Sequence, residues 1–253
     1  MINLEGTRDN KKKIIKVSLF ILVIVIIISV ISILLMKYNV EGETNLPFEL
    51  EEILVISSAD ANEINPGEKR WNLDILQNND IYIEIKKNGK YNGNEELQKV
   101  IIQNITYNSM PQIGEPHIYK PSEEGDFTYI YSNESICDNN ILEYNVTGSN
   151  NMKKMELAND GGVITFSSCS KNIAQYISDE DTEIKYDGSL LQKVNISKEQ
   201  LKYKLSFEII IETVSEKKYK ASISLDIPID NFITEGIAKK EIKNNNEIIF
   251  KRI

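Results

Sequence analysis

Apolar residues along this chain fall into two unlike patterns. From Val17 to Met36 they run almost unbroken: no residue is charged, and only Ser18, Ser29 and Ser32 are polar. At about 1.5 Å of rise per residue such a helix spans roughly 30 Å, the thickness of bilayer hydrocarbon. Signal-peptide apolar stretches are shorter, about 7 to 15 residues. Neither a small-x-small cleavage site nor a lipid-modifiable cysteine follows at Leu34-Leu35-Met36-Lys37-Tyr38. The pattern predicts an uncleaved transmembrane helix over 17–37, preceded by a short basic tail (1–16) and followed by an acidic linker (38–50) with Pro47.

After the linker, alternation with period two dominates, the signature of half-buried strands. "EEILVISSA" (51–59) reads as a strand. "WNLDILQNNDIYIEIKK" (71–87) places Trp71, Leu73 and Ile75 on one face and Ile81, Ile83 and Ile85 on one face. A turn at Asn78-Asn79-Asp80 is predicted to fold it into a hairpin. "LQKVIIQNITY" (97–107), "FTYIY" (127–131) and "ILEYNV" (141–146) are further strands, and the stretch 110–125, with its prolines and glycines, reads as loop. A turn at Asp160-Gly161 leads into the strand "VITFSSCS". The clearest hairpin joins "LKYKLSFEIIIETV" (201–214) to "YKASISLDIPI" (219–229), with Leu205, Phe207, Ile209, Ile223 and Leu225 facing the core. Ser197 and Gln200 have capping-box spacing, so one helical turn precedes it. "EIIFKRI" (247–253) closes the chain as a strand. The expected fold is mainly β: an N-terminal transmembrane helix, then an antiparallel sandwich or jelly-roll-like domain over 51–253.

Charge sets the orientation. Arg8, Lys11, Lys12, Lys13 and Lys16 precede the apolar run, whereas Glu41, Glu43, Glu49, Glu51 and Glu52 follow it. Positive charge stays on the cytoplasmic side, so the N-terminus is expected inside and the β domain outside the cell membrane. Residues 1–16 carry five basic and two acidic groups (+3), Lys37 adds +1, and the remainder holds 23 basic and 36 acidic groups (-13), which sum to the net -9. An acidic domain argues against nucleic acid as a partner.

Candidate chemistry is sparse. Cys137 and Cys169 are the only cysteines. Either they form a disulfide, which would contribute roughly 3.5 kcal/mol through chain entropy, or they stay as two half-buried thiols. The single histidine, His117, sits among prolines without the context of a hydrolase base or nucleophile. The acidic cluster at 179–183 offers oxygen ligands of the kind calcium prefers but lacks the pattern of an EF-hand loop. Trp71 shares a face with Leu73 and Ile75 and reads as core rather than as a sugar-stacking platform. No cofactor-binding motif and no catalytic constellation is present, so the chain is expected not to be an enzyme.

"LPFELEEILVISSA", "WNLDILQNNDIYIEI" and "KVNISKEQLKYKLSFEIIIE" resemble stretches of uncharacterised single-pass membrane proteins of low-GC Gram-positive bacteria, especially clostridia. The resemblance implies compartment and architecture, and it transfers no residue roles. The function expected is a tethered extracytoplasmic module that binds another envelope protein. The alternative is a glycan-active or glycan-binding jelly roll using paired carboxylates or exposed aromatics.

Overall fold

The computed structural model describes residues 4–39, 46–66, 69–121, 131, 135–137, 139–146, 157–179, 183–185, 187–243 and 248–253. The chain divides into two compact units, Met1–Asn45 and Leu46–Ile253.

The first unit is one helix, α1 (Leu4–Asn39), so the basic stretch is helical as well. Its segment Lys16–Leu34 has a mean hydropathy of 3.3, and none of it is buried within the protein. A helix that apolar with no protein surface to cover it is long enough to cross a membrane. Within it the Ser29 hydroxyl donates to the Val25 carbonyl at 2.8 Å. That bond satisfies the hydroxyl inside the helix itself.

The second unit is mainly β, with two antiparallel sheets. The first contains β1 (Phe48–Glu63), β2 (Asn72–Lys87), β4 (Glu115–Tyr119), β6 (Leu157–Ala158), β7 (Gly161–Ile177) and β10 (Ile237–Lys243). Its order is β10-β1-β2-β7-β4, with β6 also paired to β7. The second contains β3 (Leu97–Ser109), β5 (Leu142–Asn145), β8 (Lys204–Thr213), β9 (Lys218–Asp226) and β11 (Lys251–Arg252), in the order β11-β9-β8-β3-β5. Among the described residues three short helices complete it: α2 (Gly188–Lys193), α3 (Lys198–Leu201) and α4 (Phe232–Glu235).

The β8–β9 hairpin forms as its alternation predicts. Leu205 pairs with Leu225, Phe207 with Ile223 and Ile209 with Ala221, and all six side chains are buried. The turn before it forms too, with the Gln200 side-chain oxygen accepting from the Ser197 backbone N–H at 2.9 Å. Strands at 97–107 and 141–146 and the turn into β7 are also present. The expected strand 127–131 lies, apart from Tyr131, outside the described residues. Among the described residues of the expected C-terminal strand only Lys251–Arg252 is strand, with Phe250 buried in the core.

Two expectations fail. The stretch 71–87 is not a hairpin: Asn72–Lys87 is one continuous strand of 16 residues, with Asn78-Asn79-Asp80 at its centre. Its true hairpin partner is β1, and the chain reverses before it, where the Ile64 N–H meets the Asn72 carbonyl at 2.7 Å. Trp71 precedes the strand and is 39% exposed, so it is not core. Second, part of the supposed loop 110–125 is strand β4, with Pro116 opposite Ser170. Pro116 fits because β4 is a sheet edge, where a missing N–H breaks no ladder on the open side.

The long strands β1, β2 and β7, of 16, 16 and 17 residues, explain how polar residues came to lie inside one. Leu73, Ile75, Gln77, Asn79, Ile81, Ile83 and Ile85 share one face of β2. Toward one end, Ile81, Ile83 and Ile85 join Val55, Phe166, Phe207, Ile209 and Ile223 in a core drawn from both sheets. The Phe166 and Phe207 rings meet edge-on, with centroids 5.3 Å apart. Toward the other end, Leu73 and Ile75 pack with Leu190, Leu191, Leu201, Ile229 and Phe232 in a second core built from the short helices. Between the two cores runs a polar seam. Ser57, Asn79 and Ser168 stand in one cross-strand row of β1, β2 and β7, with Gln77 and Ser170 in the next; all five are fully buried.

Candidate functional site

The seam is hydrogen-bonded rather than merely polar. Asn79 Oδ1 accepts from Ser57 Oγ at 2.6 Å and from Gln77 Nε2 at 3.1 Å. Asn79 Nδ2 donates to the Ser168 carbonyl and to the Tyr203 hydroxyl, both at 2.8 Å. Tyr203 precedes β8 and its ring lies 5.8 Å from that of Tyr107 on β3, so the second sheet is tied to the first through this network. Burial pushes the Tyr203 phenol well above its ordinary range and that of Tyr107 up to about 12. Both therefore stay neutral and act as hydrogen-bonding groups.

Tyr203 also lines the mouth of a cleft of ≈ 600 Å³. Lys202 and Lys204 flank it on the chain leading into β8. Asp226 ends β9 and Ile227 through Asp230 follow it, and Lys239 and Lys240 come from edge strand β10 of the other sheet. Lys204 and Lys240 share a single carboxylate, each 3.8 Å from Asp226, and Lys202 lies 3.7 Å from Glu199. Such exposed, long ion pairs hold their partners weakly. Lys239 is exposed and has no ion-pair partner among the described residues. Nothing local in the sequence announces this site, because its lysines come from two segments more than thirty residues apart. The hint is Lys202-Tyr203-Lys204, two charges bracketing a buried aromatic.

The cysteines are free and buried. Cys137 lies in the core drawn from both sheets and donates to the Ile141 carbonyl at 3.3 Å. Cys169 lies in a separate small cluster with Leu76 and Tyr119. With the two thiols in different clusters the possible disulfide is absent. The strand character of β4 brings His117 directly opposite Cys169, an approach hidden as long as His117 was read as a loop residue. Histidine beside cysteine is the arrangement of an activated thiol. Here no hydrogen bond joins them among the described residues, and burial pushes the Cys169 thiol up to about 12 despite the nearby Lys171. A thiol so placed is protonated at neutral pH and is a poor nucleophile. Iodoacetamide at pH 8 is therefore expected to leave Cys169 unmodified in the native protein and to alkylate it fully in urea, as mass spectrometry would read.

The other candidate residues disperse. Arg8, Lys11, Lys12, Lys13 and Lys16 lie on the first turns of α1, ahead of its apolar segment. Of the acidic cluster at 179–183, Asp179 and Glu183 are exposed and the residues between them lie outside the described residues. No group of three metal-ligating side chains occurs among the described residues. On the outer face of the first sheet Glu52 and Glu84 stand directly opposite each other on β1 and β2, in a shallow groove of ≈ 260 Å³ with Leu54, Tyr82 and Val163. Lys243 faces Glu52 from β10. Comparison with known protein families, curated proteins and solved structures finds no match for this chain.

Proposed function

We infer that the chain is a membrane-anchored extracytoplasmic protein of the cell envelope, and that its β domain is an antiparallel sandwich that acts by binding another envelope protein. The observation that carries this reading is the helix segment Lys16–Leu34, strongly apolar with a mean hydropathy of 3.3 and uncovered by protein, joined to a separate β unit. The basic residues ahead of that segment favour a cytoplasmic N-terminus under the positive-inside rule. Support for the sandwich comes from the core that side chains of both sheets share. The likeness to single-pass clostridial proteins belongs to the same proposal. Catalysis finds less support: the one cysteine that faces histidine holds its proton. Cross-linking on intact cells, followed by isolation of the full chain from detergent-solubilised membranes, is expected to recover an envelope component. Recovery of a cytosolic protein alone would contradict the reading.

A glycan-directed reading draws on a different observation, the Glu52–Glu84 pair and the exposed Trp71. Paired carboxylates about 5 Å apart suit glycoside cleavage only when one is held protonated by an enclosed apolar site. Glu84 is exposed in an open groove. Hydrolysis of a wall glycan by the purified chain, abolished by Glu84→Gln, would establish this alternative over binding.

A further inference from the structure

The cleft beside Tyr203 carries a charge opposite to that of its domain. Residues 38–253 hold 23 basic and 36 acidic side chains. Four lysines nevertheless line this one cavity of ≈ 600 Å³ against two aspartates, Asp226 and Asp230. A concavity walled by protein focuses such a field, so the site attracts anions that the surrounding surface repels.

We propose that the cleft is a binding site for phosphate groups, held by Lys202, Lys204, Lys239 and Lys240. The inference rests on the binding reading above and names the chemistry one site would recognise. Its lining contains no arginine. Planar, bidentate recognition of carboxylates is the strength of arginine, whereas lysine presents point charges that suit a phosphate approached from several sides. Lys202 and Lys204 lie at the approach to and start of β8 in one sheet and Lys239 and Lys240 on β10 in the other, so the cavity draws its cations from both sheets. Asp226 occupies the position of an internal substitute. Its oxygens lie 3.8 Å from Lys204 and from Lys240, and its side chain is 69% exposed. It can turn into solvent when a stronger anion arrives. The Tyr203 side of the cleft is rigid by contrast, because its hydroxyl is fixed by Asn79 and Ser168. The volume suits a ligand carrying a few phosphates, and the acidic surroundings exclude a long nucleic acid.

The test is calorimetric titration of tripolyphosphate into the full chain, held in nanodiscs of neutral lipid. Binding is expected at low ionic strength and weakens toward about 0.15 M salt. Lys239→Gln and Lys202→Gln should each weaken it about fivefold, and Lys90→Gln, in a distant loop, should not. Asp226→Asn should tighten it, a change that a purely structural aspartate would not produce. Titration with a short-chain phosphatidylglycerol identifies the source: tighter binding of the lipid points to a headgroup, and tighter binding of tripolyphosphate to a free or polymer-borne phosphate. Affinity unchanged in both lysine variants, or no binding at millimolar tripolyphosphate even by the Asp226→Asn chain, would overturn the proposal. An envelope protein still captured by cross-linking in that case would leave the broader binding reading standing.

Discussion

Asn79→Leu is expected to destabilise the β domain by about 3 kcal/mol, although it makes the interior more apolar. Asn79 is fully buried, and four groups depend on it: Ser57 Oγ, the Gln77 amide, the Ser168 carbonyl and the Tyr203 hydroxyl. Leucine leaves Ser57 Oγ and the Gln77 amide buried without that partner, while the Tyr203 hydroxyl and the Ser168 carbonyl keep each other and the Ser168 hydroxyl. Each buried polar group left alone costs about 1–3 kcal/mol, and some relaxation among the four keeps the sum below the simple total. Tyr203→Phe should cost less, about 1 kcal/mol, since it removes one hydroxyl. The double variant should cost less than the two changes added together, because both act on the same bond. Urea unfolding of the detergent-solubilised chain, followed by circular dichroism, reads all three. If Asn78-Asn79-Asp80 were the exposed turn that the sequence suggests, Asn79→Leu would fall within about half a kcal/mol of wild type.

The second large effect lies in the other sheet. Ile209→Asp is expected to cost about 4 kcal/mol, because it puts an unpaired carboxylate where no water reaches. Ile209 is 0% exposed and stands between strands β3 and β9, opposite Ile102 and Ala221. For a domain of this size that loss corresponds to a fall in melting temperature of about 10 °C. A melting temperature within a degree or two of wild type would mean that β8 presents its other face to the core.

These two residues also mark what the sequence made legible and what it hid. Around Ile209 local and global cues agree: strict alternation, β-branched residues and a short polar connection all give the observed hairpin and register. The N-terminal apolar helix is as legible, since one nearly unbroken run of apolar residues marks it. Around Asn79 the cues conflict. Three consecutive turn-forming residues pointed to a reversal, while the alternation of Leu73 and Ile75 stays in phase with Ile81, Ile83 and Ile85, as an unbroken strand requires. The phase was the better guide, because buried Asn78 and Asn79 and half-buried Asp80 are tolerable when neighbouring strands supply partners, and those partners lie far away in the chain. Pro116 hid β4 in the same way, and with β4 went the placement of His117 against Cys169. The lysine cleft was invisible for a third reason: it exists only where β10 of one sheet meets the start of β8 in the other, and no local pattern records that meeting.

The central claim, an anchored domain outside the membrane, is tested most directly by labelling with a membrane-impermeant maleimide. In a chain with both native cysteines replaced by serine, one new cysteine is placed at exposed Lys90 of the β domain, or at Asn10 ahead of the apolar segment. On wall-stripped cells the Lys90→Cys chain should label at once and the Asn10→Cys chain only after the cells are permeabilised. Labelling of Asn10→Cys on intact cells, with Lys90→Cys protected, would contradict the account.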